Sequence, residues 1–379
     1  MKKITNIIIL FFAAISFYAC GGPTESSNTT ADDGIIKVVL LVNGNLGDMS
    51  FFDSANEGIQ RLNDFYDDSV LLATTIEMGT NQANWETTLY RVSQQDYDLI
   101  ICATTQMREP LQRVSASYPD KKYIIFDSEV EEDKADSYDN VHSILFRQNE
   151  GGFLAGVLAA KMANGSSGMS LPVTGSQKIG FIGGMRNNII YDFAVGYVEG
   201  ISFVNEAETT SVSLMNSFVG NFNDSTQAKA LANVQYTNGA DVIFVAASQA
   251  GLGVIDSAQT KTKYVIGVDS DQYMYYAETN PTRAELIITS VLKKVGDVIY
   301  DSVETYVNGN LEFATLVTYG LSEGIIDIAD NENYQNLVPE SLRIYIATLK
   351  ADIISGELEI TSRFDLTLDE VDTLLGSLE

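Results

Sequence analysis

The chain has 379 residues and carries 51 acidic against 23 basic side chains, a formal charge of −28. That balance speaks against nucleic acid or an acidic membrane surface as partner, because phosphates demand a basic stripe. One histidine, His142, and two cysteines leave too few donors for a His-rich zinc site or a zinc–cysteine cluster, and confine any Ser-His-Asp arrangement to His142. With 45% apolar and 20% charged residues the bulk is globular. The length allows about two or three domains.

Lys2 and Lys3 precede a mostly apolar stretch over 4–19, too short and wrongly flanked for a spanning helix. It ends Phe17-Tyr18-Ala19-Cys20-Gly21-Gly22. A small residue, a cysteine and further small residues at that place resemble a bacterial lipoprotein processing box, which implies lipidation of Cys20 after cleavage. Residues 1–20 are therefore read as a lipoprotein signal peptide. Residues 21–34, rich in Ser, Thr and Asp, read as a flexible tether with nothing to bury.

From residue 35 onward short apolar runs alternate with helical periodicity, the pattern of parallel α/β sheets. Residues 35–43 read as a strand, 51–64 as a helix with Phe51, Ala55, Ile59 and Leu62 on one face, and 71–77 as a strand. A helix bearing Trp85, Leu89 and Val92 follows, then a strand over 99–103, a helix through Leu111 and Val114, and a strand over 123–126. Cys102 lies inside an apolar run and reads as a buried structural thiol. Residues 129–140 form an acidic run, read as a solvated loop, before a strand over 141–146 and a small-residue helix over 153–163. The Gly- and Ser-rich stretch 164–177 punctuates the chain, and then the pattern restarts. Strands over 178–183, 212–215, 242–246 and 264–268 alternate with helices over 190–204 and around 228–234 and 254–258. Beyond Asp271 come a strand over 287–289, a helix over 291–307, a strand over 316–319, a helix over 339–354 and an acidic, Leu-rich tail. Two tandem α/β units with later segments crossing back point to two lobes around a cleft.

In such sheets ligands bind beyond the carboxyl ends of the strands. The first strand is followed by Gly44-Asn45-Leu46-Gly47-Asp48-Met49-Ser50-Phe51-Phe52, which lacks the GxGxxG spacing of a dinucleotide site. Later strands deliver Asp127-Ser128, Gly184-Met185 with Asp192-Phe193 beyond, and Asp269-Ser270-Asp271. Carboxylates accept hydrogen bonds from vicinal hydroxyls, and Phe faces stack on flat rings. A polyol carrying an aromatic base would use both. Each residue also has a structural reading: Asp48 as a helix N-cap, Phe51 and Phe193 as core, His142 as a satisfied core histidine. Lys293 reads equally as a surface lysine at the start of a helix. Asp269 and Asp271 would suit acid/base work or a cation, but the spacing of a calcium loop is missing.

The segment Gly47-Asp48-Met49-Ser50-Phe51-Phe52-Asp53-Ser54-Ala55-Asn56-Glu57-Gly58 resembles the DxSFNxxAxEG opening of the basic membrane lipoprotein family, substrate-binding proteins of ABC importers related to purine nucleoside receptors. Tyr118-Pro119-Asp120 before Phe126-Asp127, Glu150-Gly151-Gly152-Phe153-Leu154-Ala155-Gly156 and Gly180-Phe181-Ile182-Gly183-Gly184-Met185 continue the pattern in order. So do Asp192-Phe193-Ala194-Val195-Gly196-Tyr197-Val198-Glu199-Gly200, Ile266-Gly267-Val268-Asp269-Ser270-Asp271-Gln272 and Thr289-Ser290-Val291-Leu292-Lys293. The resemblance implies a two-lobed type I periplasmic-binding-protein fold, each lobe a parallel sheet flanked by helices, closing on a nucleoside. It implies that Asp48, Ser50, Phe51, Asp127, Phe193, Gly220, Asp269 and Lys293 line the cleft, Gly220 through Val219-Gly220-Asn221-Phe222. Phe52 stands where the family has an asparagine, which removes an amide from the base end of the site and implies weak discrimination among bases. The first lobe is expected over 35–147 with about 271–313, the second over 148–270 with about 314–379.

The sequence therefore reads as an extracytoplasmic, lipid-anchored solute-binding protein on the cell membrane or outer membrane. It is expected to bind a nucleoside-like ligand, without cofactor, metal or catalytic residues, and to meet an ABC permease and ATPase. A ligand sensor presenting its closed form to a membrane receptor is the alternative, and an extracytoplasmic hydrolase using Asp48 and Asp269 a more distant one. Cys20→Ser is expected to release unlipidated protein or block maturation, because one modified cysteine supplies the acyl chains. A variant that fractionates with membrane like wild type, and takes up as much label from a fatty-acid precursor, would defeat that reading.

Overall fold

The computed structural model describes residues 34–130, 138–164 and 174–379. Cys20 with its signal peptide, the tether up to residue 33, most of the acidic run and most of the Gly/Ser-rich stretch lie outside the described residues.

Val38 to Val42 are fully buried, so the first strand, β1 (Ile36–Val42), needs neighbours on both edges and cover on both faces. It is flanked by β2 (Leu71–Glu77) and β3 (Leu99–Ala103), beyond which lie β4 (Lys122–Phe126) and β5 (Val141–Phe146), all parallel. The helices α1 (Phe51–Phe65), α2 (Trp85–Ser93) and α3 (Arg108–Ser117) make the crossovers, burying the apolar stripes read from the sequence. After β5 the chain crosses into α4 (Gln148–Ala163).

A second sheet repeats the plan. Its strands are β6 (Lys178–Gly183), β7 (Ser213–Phe218), β8 (Val242–Ala246), β9 (Tyr264–Asp269) and β10 (Ile287–Lys293). Between them run α5 (Asn188–Glu208), α6 (Ser225–Thr237), α7 (Leu252–Lys261) and two short helices, α8 (Gln272–Ala277) and α9 (Pro281–Ala284). The chain then returns to the first lobe as α10 (Val295–Val307) and β11 (Thr315–Tyr319), crosses again into β12 (Ile326–Ile328), and ends with α11 (Glu332–Leu337), α12 (Glu340–Ser355) and α13 (Leu368–Gly376). The sheet orders are β11-β5-β4-β3-β1-β2 and β12-β10-β9-β8-β6-β7. They are the same order, one lobe after the other. Among the described residues no helix is long and apolar enough to cross a membrane.

The lobe boundaries differ from the sequence expectation after residue 270. β10 belongs to the second sheet, between β9 and β12, whereas β11 pairs with β5 of the first. The expected strand over 287–289 runs on to Lys293, and the helix begins only at Val295. Short mixed runs such as Thr289-Ser290-Val291-Leu292-Lys293 carry no period that separates strand from helix. What decides is pairing: β9 on one edge and the antiparallel β12 on the other hold the segment extended. α10 lies against α1, where Gly58 and Gly296 let the backbones meet and Arg61 pairs with Asp297.

α4 and α5 pack backbone against backbone at several glycines. A Cβ on Gly152 would lie 2.4 Å from the Phe193 carbonyl oxygen, one on Gly156 2.2 Å from that of Tyr197, and one on Gly200 2.2 Å from that of Phe153. At Gly196 the clash is with the Asn149 carbonyl oxygen at 2.0 Å. These are backbone atoms, so no rotamer change relieves them, and the helices must move apart. Gly196→Ala is expected to cost about 1–3 kcal/mol, as overpacking does in close-packed interiors. The check is a lowered urea midpoint at unchanged slope, with Gly376→Ala, where nothing lies within 4 Å, as the control that leaves the midpoint in place.

Candidate ligand-binding site

The carboxyl ends of both sheets meet around a cavity with an empty volume of about 1000 Å³, including its mouth. Of the residues singled out from the sequence, Asp48, Phe51, Phe52, Asp127, Phe193, Asp269 and Lys293 line it. Ser50 and Gly220 do not. Ser50 sits behind the wall, its Oγ donating to Asp269 Oδ2 at 2.5 Å. Gly220, at φ +96, supports the turn that carries the lining residues Asn221 and Phe222.

The site is built by the strand ends. Asp127 follows β4 and Asp269 closes β9, the same place in the two sheet orders. Both hold the left-handed backbone, at φ 56 and 64, a costly conformation for residues other than glycine that concentrates at functional sites. Lys293, at the end of β10, is 2% exposed and donates to both Asp127 oxygens at 2.9 and 2.7 Å, with Asp269 Oδ1 at 4.0 Å. Its ammonium also lies over the rings of Phe51, Phe146 and Phe193, at 4.8, 5.3 and 5.5 Å from their centroids. It is the end of a strand, not a surface lysine opening a helix. Burial pushes Asp127 above the usual carboxylate range, with Lys293 pulling the other way. Burial likewise pushes Asp269 up to about 6, against the pull of Lys293 and of the Ser50 hydroxyl.

The turn into α1 is held by two carboxylates. Asp48 Oδ1 accepts from the backbone N–H groups of Ser50 and Asp53, and Oδ2 from Phe52 N–H and the Ser248 hydroxyl. Asp53 reaches back to the N–H groups of Gly47 and Met49. Asp48 lines the cavity, yet its oxygens are taken by the helix start; it does this from two residues before the N-cap, which is Ser50 and not Asp48. The turn presents Phe51 edge-on to Phe52, centroids 5.2 Å apart, and tilted against Phe126 at 5.3 Å. It also bridges the lobes: besides Asp48 to Ser248 and Ser50 to Asp269, Gln272 Nε2 donates to the Met49 carbonyl and the Ser270 hydroxyl to that of Ser50.

His142, Asp192 and Cys102 stand apart from the cavity. His142 Nδ1 lies 2.9 Å from the Glu312 carbonyl and from Thr315 Oγ1, joining β5 to β11, and burial lowers its pKa. Asp192 gathers Gln148 Nε2, Asn149 N–H, the Ser362 hydroxyl and Arg363 N–H, tying the start of α4 to the tail, while burial raises it to about 6. Cys102 is fully buried and its thiol is pushed up to about 12. Among the described residues no group of three or more His, Cys, Asp or Glu could hold a metal ion.

Several lining residues escaped the sequence reading, among them Asn43, Trp85, Thr104, Phe222 and Ser248. Asn43, Thr104 and Ser248 follow β1, β3 and β8, so the strand-end rule that found Asp127 reaches them too. Trp85 was read only as core, and its Nε1–H is spent on the Gly79 carbonyl at 2.8 Å.

Residues 35–361 match the family described as ABC transporter substrate-binding protein PnrA-like. The chain is 31% identical to basic membrane protein A2 of Borrelia garinii subsp. bavariensis, over 93% of this chain and 94% of that one. It is 27% identical to the ABC transporter nucleoside-binding protein BmpA of Lactococcus lactis subsp. cremoris, over 96% and 99%. Among solved structures, an ABC transporter solute-binding protein of Aeropyrum pernix superposes with a TM-score of 0.78 at 27% identity, covering 90% of this chain and 97% of that one.

The raised carboxylates fix the sign of the pH dependence. Asp192 and Asp269, both near 6 when folded and near the ordinary aspartate value of 3.8 when unfolded, bind protons in the native state first. Their protonated forms favour folding fully below the unfolded value, and that contribution is lost as pH rises through about 6. His142, lowered by burial, works the other way, but it is one group against two, and acidification also relieves the self-repulsion of a chain at −28. The thermal midpoint of the ligand-free protein is expected to rise between pH 7.5 and 5, with a shallower slope in Asp269→Asn. A midpoint that falls over that window, or an unaltered slope in the variant, would contradict the assignment.

Proposed function

Because the chain belongs to the family of PnrA-like ABC transporter substrate-binding proteins, we propose that it is a receptor tethered by lipid at Cys20 on the extracytoplasmic side of a membrane, closing on a nucleoside and offering the closed form to a permease and ATPase. The observation that carries the ligand reading is the juxtaposition of Phe51 and Phe193 with Asp127, Asp269 and Lys293 around one cavity. Aromatic faces suit a base, and carboxylates accept from vicinal pentose hydroxyls. Three lining carboxylates against one lysine disfavour a phosphorylated ligand, so a nucleoside fits better than a nucleotide. The Lactococcus relative, named a nucleoside-binding protein, points the same way. Closure follows from contacts made to both lobes, since a ligand shifts such an equilibrium by its greater affinity for the closed state. The receptor binds without turning its ligand over, and the commitment of Asp48 to the α1 start supports that against an Asp48–Asp269 acid and base pair.

Calorimetry with a panel of nucleosides tests the proposal. Phe51→Ala is expected to weaken binding more than Phe52→Ala, and Asp269→Ala to weaken it roughly tenfold to more than a hundredfold through lost charged hydrogen bonds. The nucleoside should be recovered chemically intact after incubation. Absence of binding across the panel, or an Asp269→Ala affinity equal to wild type, would remove the reading.

A further inference from the structure

Asn43 is 6% exposed, follows β1, and lines the cavity. Its Nδ2 donates to Thr104 Oγ1 at 2.9 Å, and its Oδ1 has no partner. Among the described residues, no other buried side-chain polar atom left without a partner belongs to a residue lining the cavity. Other polar groups of the wall each have at least one partner already: Asp48 in the α1 start, Asp127 in Lys293, Asp269 in Ser50, Asn187 in the α5 start, and Asn221 in the N–H groups of Asn223 and Asp224. A buried amide oxygen left bare loses its hydration with nothing in return, unless a ligand brings the missing donor.

Resting on the nucleoside reading, we infer that Asn43 Oδ1 accepts an exocyclic amine N–H of the base, so that the site prefers nucleosides with an amino group to their deaminated counterparts. The surroundings fit the edge of a flat ring. Phe52 packs over Gly44, where a Cβ would lie 2.8 Å from its ring, and Trp85 lines the same cavity with its own N–H already spent. Neither offers a competing donor to Asn43. β3 alone separates β1 from β4, so Asn43 and Asp127 follow strands about 10 Å apart, two inter-strand spacings. A base edge at Asn43 and pentose hydroxyls at the carboxylates span such a separation. The amide that Phe52 replaces in the α1 turn is thus supplied from the neighbouring strand end, which reverses the expectation of weak base discrimination.

The test is the dissociation constant of the full mature chain for adenosine against inosine and for cytidine against uridine. Where wild type binds a member of either pair, the aminated one is expected to bind about tenfold tighter or more, because the deaminated base turns a carbonyl toward an unpaired oxygen. Asn43→Asp keeps an acceptor and should keep that ratio. Asn43→Leu, of similar volume without one, should bring it close to unity, and a ratio is insensitive to a fraction of misfolded protein. Equal affinities within both pairs, a preference for the deaminated member, or a ratio that survives Asn43→Leu would each overturn the inference while leaving the nucleoside reading in place. No binding of any of the four would remove the nucleoside reading itself.

Discussion

Lys293 leaves water at the end of β10 with 2% of its surface exposed, and the cost of that desolvation, several kcal/mol in proteins, has to be met by opposite charge. The neutralising groups come from both lobes. Asp127 stands past β4 of the first sheet and Asp269 at the end of β9 in the second, and the ammonium lies between them over three aromatic rings. The second lobe's lysine is therefore satisfied chiefly by the first lobe's carboxylate, and the pair bridges the two lobes. The strained left-handed backbone at Asp127 and Asp269 is consistent with this demand, since the surrounding structure holds both residues there.

The turn before α1 solves a related problem. A helix that starts inside a cleft exposes N–H groups with no intrahelical partner, and water is excluded there. Asp48 covers the helix N–H groups of Phe52 and Asp53 and that of the N-cap Ser50, while Asp53 reaches back to the turn N–H groups of Gly47 and Met49, which leaves Phe51 and Phe52 fixed at the cavity wall. The remaining capacity of Asp48 goes to Ser248 of the other lobe. One carboxylate thus serves local capping and contact between the lobes. That double use explains why it resists a reading as a free acid or base.

Away from the cleft, geometry is set by the absence of side chains. The α4–α5 pair and the α1–α10 pair meet where glycines let backbone touch backbone, and each pair adjoins a crossover between the lobes. A single residue, Arg147, separates β5 from α4, and a single residue, Lys294, separates β10 from α10. The connections that pass between the lobes run through Arg147, Lys294 and Gly320.

Much of this was legible in the sequence because it is written in local pattern. Buried parallel strands are continuous apolar runs, so β2, β3 and β8 were bounded to the residue, and the strand-end rule found Asp127 and Asp269. The order of motifs identified the family over most of the chain. Tertiary structure alone decided which sheet took β10 and β11, because a short mixed strand becomes a strand only through its partners, and pairing is not local. It alone decided that Lys293 is buried rather than solvated, that Ser50 stands behind the wall, and that Asn43 and Trp85 join it. Burial and hydrogen-bond satisfaction are properties of neighbours brought together from distant parts of the chain, and a residue's type fixes what it can donate or accept but not whether a partner has already taken it.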